Sequence, residues 1–197
     1  MNIVQRVKDI LLKPKETWQE IKEDPTTISE LYTSYAVWLA AIPPIASFIG
    51  LSLIGFSVVT FHYRMPLIRG VSHAVVSYVL TLVGIYVVAL IIDALAPSFG
   101  SQKNQVKAMK VAVYSWTASW ISGILMIIPA LSPIMMLCSL YSLYLFYLGL
   151  PVLMETPKEK ALGYFIITII VSLVVFILIG AITSQLFGLG RGGWGMM

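Results

Sequence analysis

Charged side chains are scarce in this chain. Asp, Glu, Lys and Arg make up 11% of its 197 residues, whereas 58% of the residues are hydrophobic, and the mean hydropathy is +0.89. This balance excludes an ordinary water-soluble domain, which carries far more charge on its surface. The basic residues give a net charge of +4, but they lie beside apolar runs and form no patch that follows a nucleic-acid backbone. Nucleic acid is therefore not an expected partner.

Residues that carry catalysis or bind metal ions are almost missing as well. The chain has one cysteine, Cys138, and two histidines, His62 and His73. It lacks the HExxH, GxSxG and CxxC motifs and any acidic cluster with metal-ligand spacing. The two histidines flank a predicted loop, so we interpret them as loop and interface residues. We therefore predict that the protein is not an enzyme and uses no cofactor and no metal ion.

One glycine pattern resembles a nucleotide-binding motif. Gly188, Gly190 and Gly193 have the spacing of a dinucleotide-binding loop, but they follow a predicted membrane span and no helix is predicted after them. Residues 188–197 are interpreted as a glycine-rich external tail.

Long apolar runs dominate what is present. An α-helix needs about 20 apolar residues to cross roughly 30 Å of hydrocarbon. The chain has runs that reach or approach this length, and they predict an all-α polytopic protein with five transmembrane helices in one domain, residues 31–187. The runs are 31–61, 71–96, 111–128, 133–154 and 162–187.

The basic residues are distributed unequally between the two ends of these spans. Ten of the 13 Lys and Arg residues fall on one side of the alternation that the spans define. Basic residues accumulate in cytoplasmic loops. The N-terminus is therefore predicted in the cytoplasm and the C-terminus outside.

Residues 1–30 are predicted to form a separate cytoplasmic segment with an amphipathic helix. Its apolar positions recur with helical spacing, and Pro14 and the Asp24-Pro25 pair mark helix boundaries. Thr27 with Glu30 fits a capping box that starts the first span. An amphipathic helix of this kind lies in the membrane interface, with basic side chains towards anionic headgroups; alternatively, its apolar stripe packs on the cytoplasmic ends of the spans. The candidate interface residues are Ile3, Val7, Ile10, Leu11, Arg6, Lys8, Lys13, Lys15 and Trp18.

A further set of residues is singled out as intramembrane charges or hinges. Pro43 and Pro44 predict a kink or break in the first span. Asp93 is predicted at the C-terminal end of the second span, where the helix dipole disfavours a negative charge, so we expect it to pair with Lys103, Lys107 or Lys110. The complete set is Asp93, Pro43, Pro44, Pro97, Pro151 and Lys158.

Four segments point to a known family: LAAIPPIASFIG (39–50), DALAPSFGSQKN (93–104), AVYSWT (112–117) and LYLFYLGLPVLMETPKEKA (143–161). Together they resemble the bacterial branch of the Yip family, the Ypt-interacting membrane proteins. The resemblance implies five spans and a cytoplasmic N-terminus in the bacterial inner membrane, or in membranes of the early secretory pathway if the source is eukaryotic. The Rab-type GTPase binding of eukaryotic relatives is not carried over to a bacterial protein.

Two functional classes remain open. The first is a non-enzymatic membrane scaffold or membrane-shaping, trafficking-type factor, which acts on the lipid bilayer, including anionic lipids, and associates with itself or with other membrane proteins. The alternative is a small-solute transporter or channel, suggested by the predicted break in the first span and by Asp93.

Overall fold

The computed structural model describes residues 2–58 and 61–186, with side chains for residues 2–55 and 64–177. Two short helices open the chain, α1 (Ile3–Leu12) and α2 (Pro14–Glu23). Asn2 caps α1 by accepting hydrogen bonds from two backbone N–H groups, and Pro14 is the first residue of α2 because a missing N–H costs nothing there. We call α1 and α2 together the N-terminal hairpin.

The first long helix is bent but continues past its prolines. It begins with a capping box between Thr27 and Glu30, as a sequence of this kind predicts. Ala41 breaks the regular hydrogen-bond pattern while keeping helical dihedral angles, so Pro43 and Pro44 produce a local irregularity rather than two separate half-helices. Its segments are α3 (Ile28–Leu31), a π-helical turn (Tyr32–Ala36), α4 (Val37–Ala40), α5 (Ile42–Phe48) and a second π-helical turn (Ile49–Ile54).

This first helix is shorter than the predicted run 31–61. It ends at Ile54, and Gly55 leaves the helical region with a φ of 87°. Strand β1 (Phe56–Val58) then pairs in antiparallel fashion with β2 (Phe61–Tyr63). The prediction was wrong for these last residues because hydropathy alone does not distinguish a helix from an apolar hairpin rich in β-branched and aromatic residues.

The rest of the described chain is helical and forms the remainder of the bundle. A 3-10 turn (Ala96–Phe99) follows α6, and two more (Gly123–Ile127 and Pro129–Leu131) follow α8. The helices are α6 (Leu67–Leu95), α7 (Gln105–Ser115), α8 (Thr117–Ser122), α9 (Ser132–Met154) and α10 (Lys158–Leu186).

Among the described residues, four helices are long and apolar enough to cross a membrane: Ile28–Ile54, Leu67–Phe99, Pro129–Met154 and Lys158–Ile177. The third predicted span, 111–128, is not in this set; the chain turns at Trp116, which separates α7 from α8. An all-helical membrane-protein fold is therefore confirmed apart from the short β1–β2 pair. The predicted number of five membrane spans is not confirmed.

The divided helix lies at the centre of the bundle. Every residue from Ala108 to Ser115 is buried, as are Thr117, Ala118 and Trp120. The other long helices instead expose many large apolar side chains, such as Ile68 and Leu137, as expected of surfaces that face lipid. Helices α7 and α8 thus form the core around which the others pack.

Candidate functional site

The N-terminal hairpin is seated on the bundle through Trp18. Its indole is fully buried and lies on Gly149 of α9, where an added Cβ would come within 2.4 Å of Trp18 Cζ2. The ring also meets Tyr114 of α7 edge to face, with ring centroids 6.3 Å apart. Only glycine leaves room for this ring at position 149, so the seat depends on a backbone approach that no other residue allows.

An aromatic and hydroxyl chain continues from this seat into the first long helix. The rings of Tyr114 and Tyr35 are 4.8 Å apart, and the Tyr35 hydroxyl is 2.9 Å from Oγ1 of Thr117. Thr117 Oγ1 also donates to the Tyr114 carbonyl at 2.8 Å. Buried polar atoms of three elements thereby find partners at the point where α7 and α8 separate.

The bundle also donates hydrogen bonds to the C-terminal carbonyls of both hairpin helices. The Tyr141 hydroxyl donates to the Leu11 carbonyl at 2.9 Å. The buried Lys110 ammonium donates to the carbonyls of Ile21, at 2.8 Å, and Asp24. A cation at the negative end of α2 is favoured by the helix dipole.

Ion pairs near the surface link the two hairpin helices to each other and α2 to the bundle. Arg6 of α1 is 3.3 Å from Glu20 and 3.1 Å from Asp24. Glu155, just after α9, is 3.1 Å from Lys22 and 2.9 Å from Lys107, and the hydrogen bonds from these two lysines lower the pKa of its carboxyl. Among the described residues, only the Lys22–Glu155 pair joins the hairpin to the bundle, and a single pair near the surface contributes little, so the buried contacts hold the hairpin in place.

These contacts divide the candidate interface residues into two groups. Ile10 and Trp18 are fully buried inside the protein. At these positions the apolar stripe packs on the bundle, which is the second of the two arrangements that the sequence left open, and does not contact lipid. Arg6 is occupied by its two ion pairs. Ile3, Val7 and Leu11 are half-buried against the core.

Other residues of the hairpin remain accessible. Val4 and Leu12 are 59% and 78% exposed, and Lys8, Lys13 and Lys15 are exposed too. Membrane contact through these positions stays a prediction.

Asp93 lacks the predicted lysine partner. Its Oδ1 atom is buried without a hydrogen-bond partner, and within the described residues it forms no ion pair with Lys103, Lys107 or Lys110. Lys107 pairs with Glu155 and Lys110 donates to α2. These two lysines therefore bind acceptors on α2 and just after α9, and neither reaches Asp93 on α6.

The remaining candidates do not converge on one site. Pro43 and Pro44 lie in the first turn of α5, Pro97 in the 3-10 turn after α6, and Pro151 near the end of α9. Lys158 begins α10. His73 and Cys138 are exposed on α6 and α9, while the His62 side chain and the glycine pattern at 188–193 lie outside the described residues.

Sequence reasoning missed the residues that hold the hairpin on α9. Gly149 and Glu155 lie in the segment that resembles the Yip family most specifically, and this resemblance marked the segment as important. The sequence did not show that the two residues bind the hairpin, because their partners Trp18 and Lys22 are more than a hundred residues away along the chain.

Comparison with known proteins agrees with the resemblance. The Yip1 domain matches residues 8–179 of this chain. Inner membrane protein YohC of Escherichia coli strain K12 is 30% identical over 185 residues, which cover 90% of this chain and 93% of that protein. The protein of the same name from Escherichia coli O6:H1 strain CFT073 matches equally well. No solved structure matches the chain. The match includes α2, the bundle and the seat between them, so the chain belongs to the Yip1 domain family of membrane proteins.

Proposed function

We propose that this protein is a non-enzymatic scaffold of the bacterial inner membrane that shapes the bilayer around it, assisted by lateral self-association. The observation that supports this proposal is the unequal height of the exposed apolar surface on two of the long helices, α9 and α6.

The proposal includes five membrane passes, with the α7–α8 segment as the central one. Lys107 touches Glu155 at the end of α9. If α9 crosses the membrane, its start at Ser132 lies on the opposite side, so the chain between Lys107 and Ser132 crosses as well. Gly50, near the far end of the first long helix, lies against the backbone of Met126, which supports the same path. Its neighbours thus cover most of the central segment, whereas Trp116 and Ile124 remain exposed.

The proposed orientation is testable with reporter fusions. Lys22, Lys107 and Glu155 meet at one end of the bundle, and this end is cytoplasmic if basic loops stay inside. Fusions after Lys22, Asn104 and Lys158 are expected to report a cytoplasmic location, and fusions near Arg64 and after Arg191 an external one. A cytoplasmic location for the fusion after Arg191 would mean that the chain crosses the membrane one time fewer than proposed.

The N-terminal hairpin runs along the flank of α9. The Leu11 carbonyl accepts a hydrogen bond from Tyr141. Farther along α9, Trp18 lies on Gly149 and Lys22 pairs with Glu155. At 1.5 Å per residue, the stretch from Tyr141 to Glu155 is about 21 Å long. A charged helix pair thus covers a large part of α9 that lipid would otherwise contact.

This placement leaves α9 with a short apolar surface. Its exposed large apolar residues extend from Ile134 to Tyr147, which corresponds to about 20 Å of helix. On α6 they extend from Leu67 to Leu90, or about 35 Å. A bilayer adapts to such a mismatch by thinning, or the helices adapt by tilting or bending. The exposed surface of α9 therefore matches a thinner bilayer than the exposed surface of α6 does.

The exposed lysines of the hairpin keep lipid chains from covering the part of α9 on which the hairpin lies. Lys8, Lys13 and Lys15 have no ion-pair partner within the described residues, and they keep water or headgroups at the hairpin tip. They also attract an anionic surface, at about 1 kcal/mol for each residue.

We expect the triple variant Lys8→Leu, Lys13→Leu, Lys15→Leu to lose membrane-shaping activity while it stays folded. Leucines allow lipid to cover the hairpin, so the apolar surface on the α9 face becomes taller and the mismatch between the faces falls. The measurement is vesicle diameter and tubulation, by electron cryomicroscopy, for protein reconstituted in short-chain and long-chain lipids. The wild-type protein is expected to deform long-chain bilayers more.

The matched control is Lys103→Leu, Lys158→Leu, Lys160→Leu, which removes the same charge from exposed positions away from the hairpin, one before α7 and two in the first turn of α10. It should reshape vesicles like the wild type. Equal reshaping by the hairpin variant, or none by the wild type, would overturn the proposal; solute flux without reshaping would support the transporter alternative.

A further inference from the structure

A lateral cleft opens between α9 and α10, with α7 and α8 beneath it. Its volume is about 340 Å³, at the lower end of the range for small-molecule sites. Most of its walls are apolar, including Leu143, Phe146, Leu173 and Phe176. Leu143 and Leu173 are exposed, so the cleft is reached from the lipid phase.

Five serines line this apolar cleft, and three of them are satisfied by the protein. Ser119 and Ser142 share a hydrogen bond of 2.8 Å between their hydroxyls. Ser139 donates to the carbonyl of Met136 at 2.7 Å, the usual local bond of a helical serine. These three hydroxyls therefore need no ligand.

The other two serines are buried and find no partner within the part of the chain that the structure describes. Ser115 of α7 and Ser172 of α10 are 3% and 9% exposed, line the cleft, and have Oγ atoms that form no hydrogen bond there. An unpaired buried hydroxyl is costly, and a bare hydrocarbon chain offers it no acceptor. The two hydroxyls point to a ligand that brings an acceptor atom into an apolar space.

The depth of the cleft restricts what that ligand is. Ser172 is 14 residues into α10, which places it about 21 Å along the helix from Lys158. That is well inside a hydrocarbon core of roughly 30 Å, away from the level of phospholipid ester groups. A molecule that dissolves in the bilayer core and carries a carbonyl on an apolar body fits both conditions.

We propose that this cleft binds a lipophilic carbonyl compound at mid-membrane depth, with Ser115 and Ser172 donating hydrogen bonds to its carbonyl oxygen. The proposal is independent of membrane shaping, because the cleft lies on the α10 side of α9 and includes no residue of the N-terminal hairpin. A second source of the same chemistry is the ester carbonyl of a displaced acyl lipid.

The test uses two photoreactive 16-carbon probes, identical except that one has a mid-chain ketone where the other has a methylene group. The full chain is reconstituted in phosphatidylcholine vesicles and crosslinked, and labelled peptides are mapped by mass spectrometry. The ketone probe should label cleft residues about fivefold to twentyfold more than the hydrocarbon probe, the range expected of one or two neutral hydrogen bonds.

Variants connect this preference to the two hydroxyls. Ser115→Ala and Ser172→Ala should each reduce the preference, and the double variant should abolish it while labelling by the hydrocarbon probe persists. Ser72→Ala, an exposed serine that donates to the Ile68 carbonyl, is the matched control and should change nothing. Leu143→Trp, at an exposed position on the rim, should block both probes without disturbing the core.

Competition identifies the source of the carbonyl. An unlabelled quinone with a ten-carbon tail should displace the ketone probe, and added diacylglycerol should do so only if acyl esters are the natural ligands. Equal labelling by both probes would mean an apolar crevice filled by lipid chains, and no labelling would mean that the cleft is closed in a bilayer. Either result overturns the proposal.

Discussion

Gly149→Ala is expected to release the N-terminal hairpin from the bundle. The new methyl group would lie 2.4 Å from Trp18 Cζ2, so either the indole leaves its seat or α9 moves away from α2. Loss of a buried tryptophan contact costs about 3–5 kcal/mol. Thermal unfolding in detergent should therefore begin at lower temperature, and trypsin should cleave after Lys15 and Lys22 sooner than in the wild type.

Gly163→Ala is the matched control, because the added Cβ there lies 3.4 Å from Phe99 Cε1, an ordinary contact, and, outside its own helix, close to no other atom of the described residues. It should leave stability nearly unchanged or raise it slightly, since alanine favours a helix. Trp18→Leu combined with Gly149→Ala should be less destabilised than the sum of the two single variants, because the smaller side chain relieves the clash. If Gly149→Ala behaves like Gly163→Ala, Trp18 does not occupy this seat in the membrane.

Lys110→Met should loosen the same hairpin by a different route. Methionine fills a similar volume but donates no hydrogen bond, so the carbonyls of Ile21 and Asp24 lose the charged partner that they have now. Hydrogen bonds to a charged group contribute about 1.5–3 kcal/mol each, and removal of a buried charge recovers part of that loss. A net destabilisation of about 2–4 kcal/mol is expected, with faster trypsin cleavage after Lys22.

Lys103→Met is the control for charge, since Lys103 is exposed and forms no ion pair within the described residues. It should unfold and be cleaved like the wild type. Circular dichroism of both variants separates a detached hairpin, which keeps the long helices, from a bundle that has failed to form. An intact, protease-resistant hairpin in Lys110→Met would show that the aromatic seat alone holds it.

Local signals in the sequence identified several elements correctly. The amphipathic period and Pro14 located α1 and α2, and Thr27 with Glu30 located the start of the first long helix. Each signal acts over a few residues through hydrogen bonds and side-chain spacing, so no distant part of the chain is needed to interpret it.

Asp93 shows where such reasoning fails. The sequence correctly placed Asp93 at the C-terminal end of a helix, near a basic loop. It did not predict which acceptor each lysine binds, because several acceptors were available to the three lysines. Glu155 and the carbonyls of α2 are brought to the lysines by the packing of α2 on α9 and α7, and these contacts join residues far apart in the chain.

The sequence by itself determined that this is a helical membrane protein, since scarce charge and long apolar runs leave no other solvent than lipid. Four short segments resembling the Yip family also indicated the family that the Yip1 domain match shows. The sequence did not determine which surfaces meet the lipid. An apolar stripe has the same period whether it faces a bilayer or a neighbouring helix, so only the tertiary structure assigned Ile10 and Trp18 to the protein interior. The same packing shortened the apolar face of α9 and opened the cleft beside α10, because both depend on how helices distant in sequence approach one another.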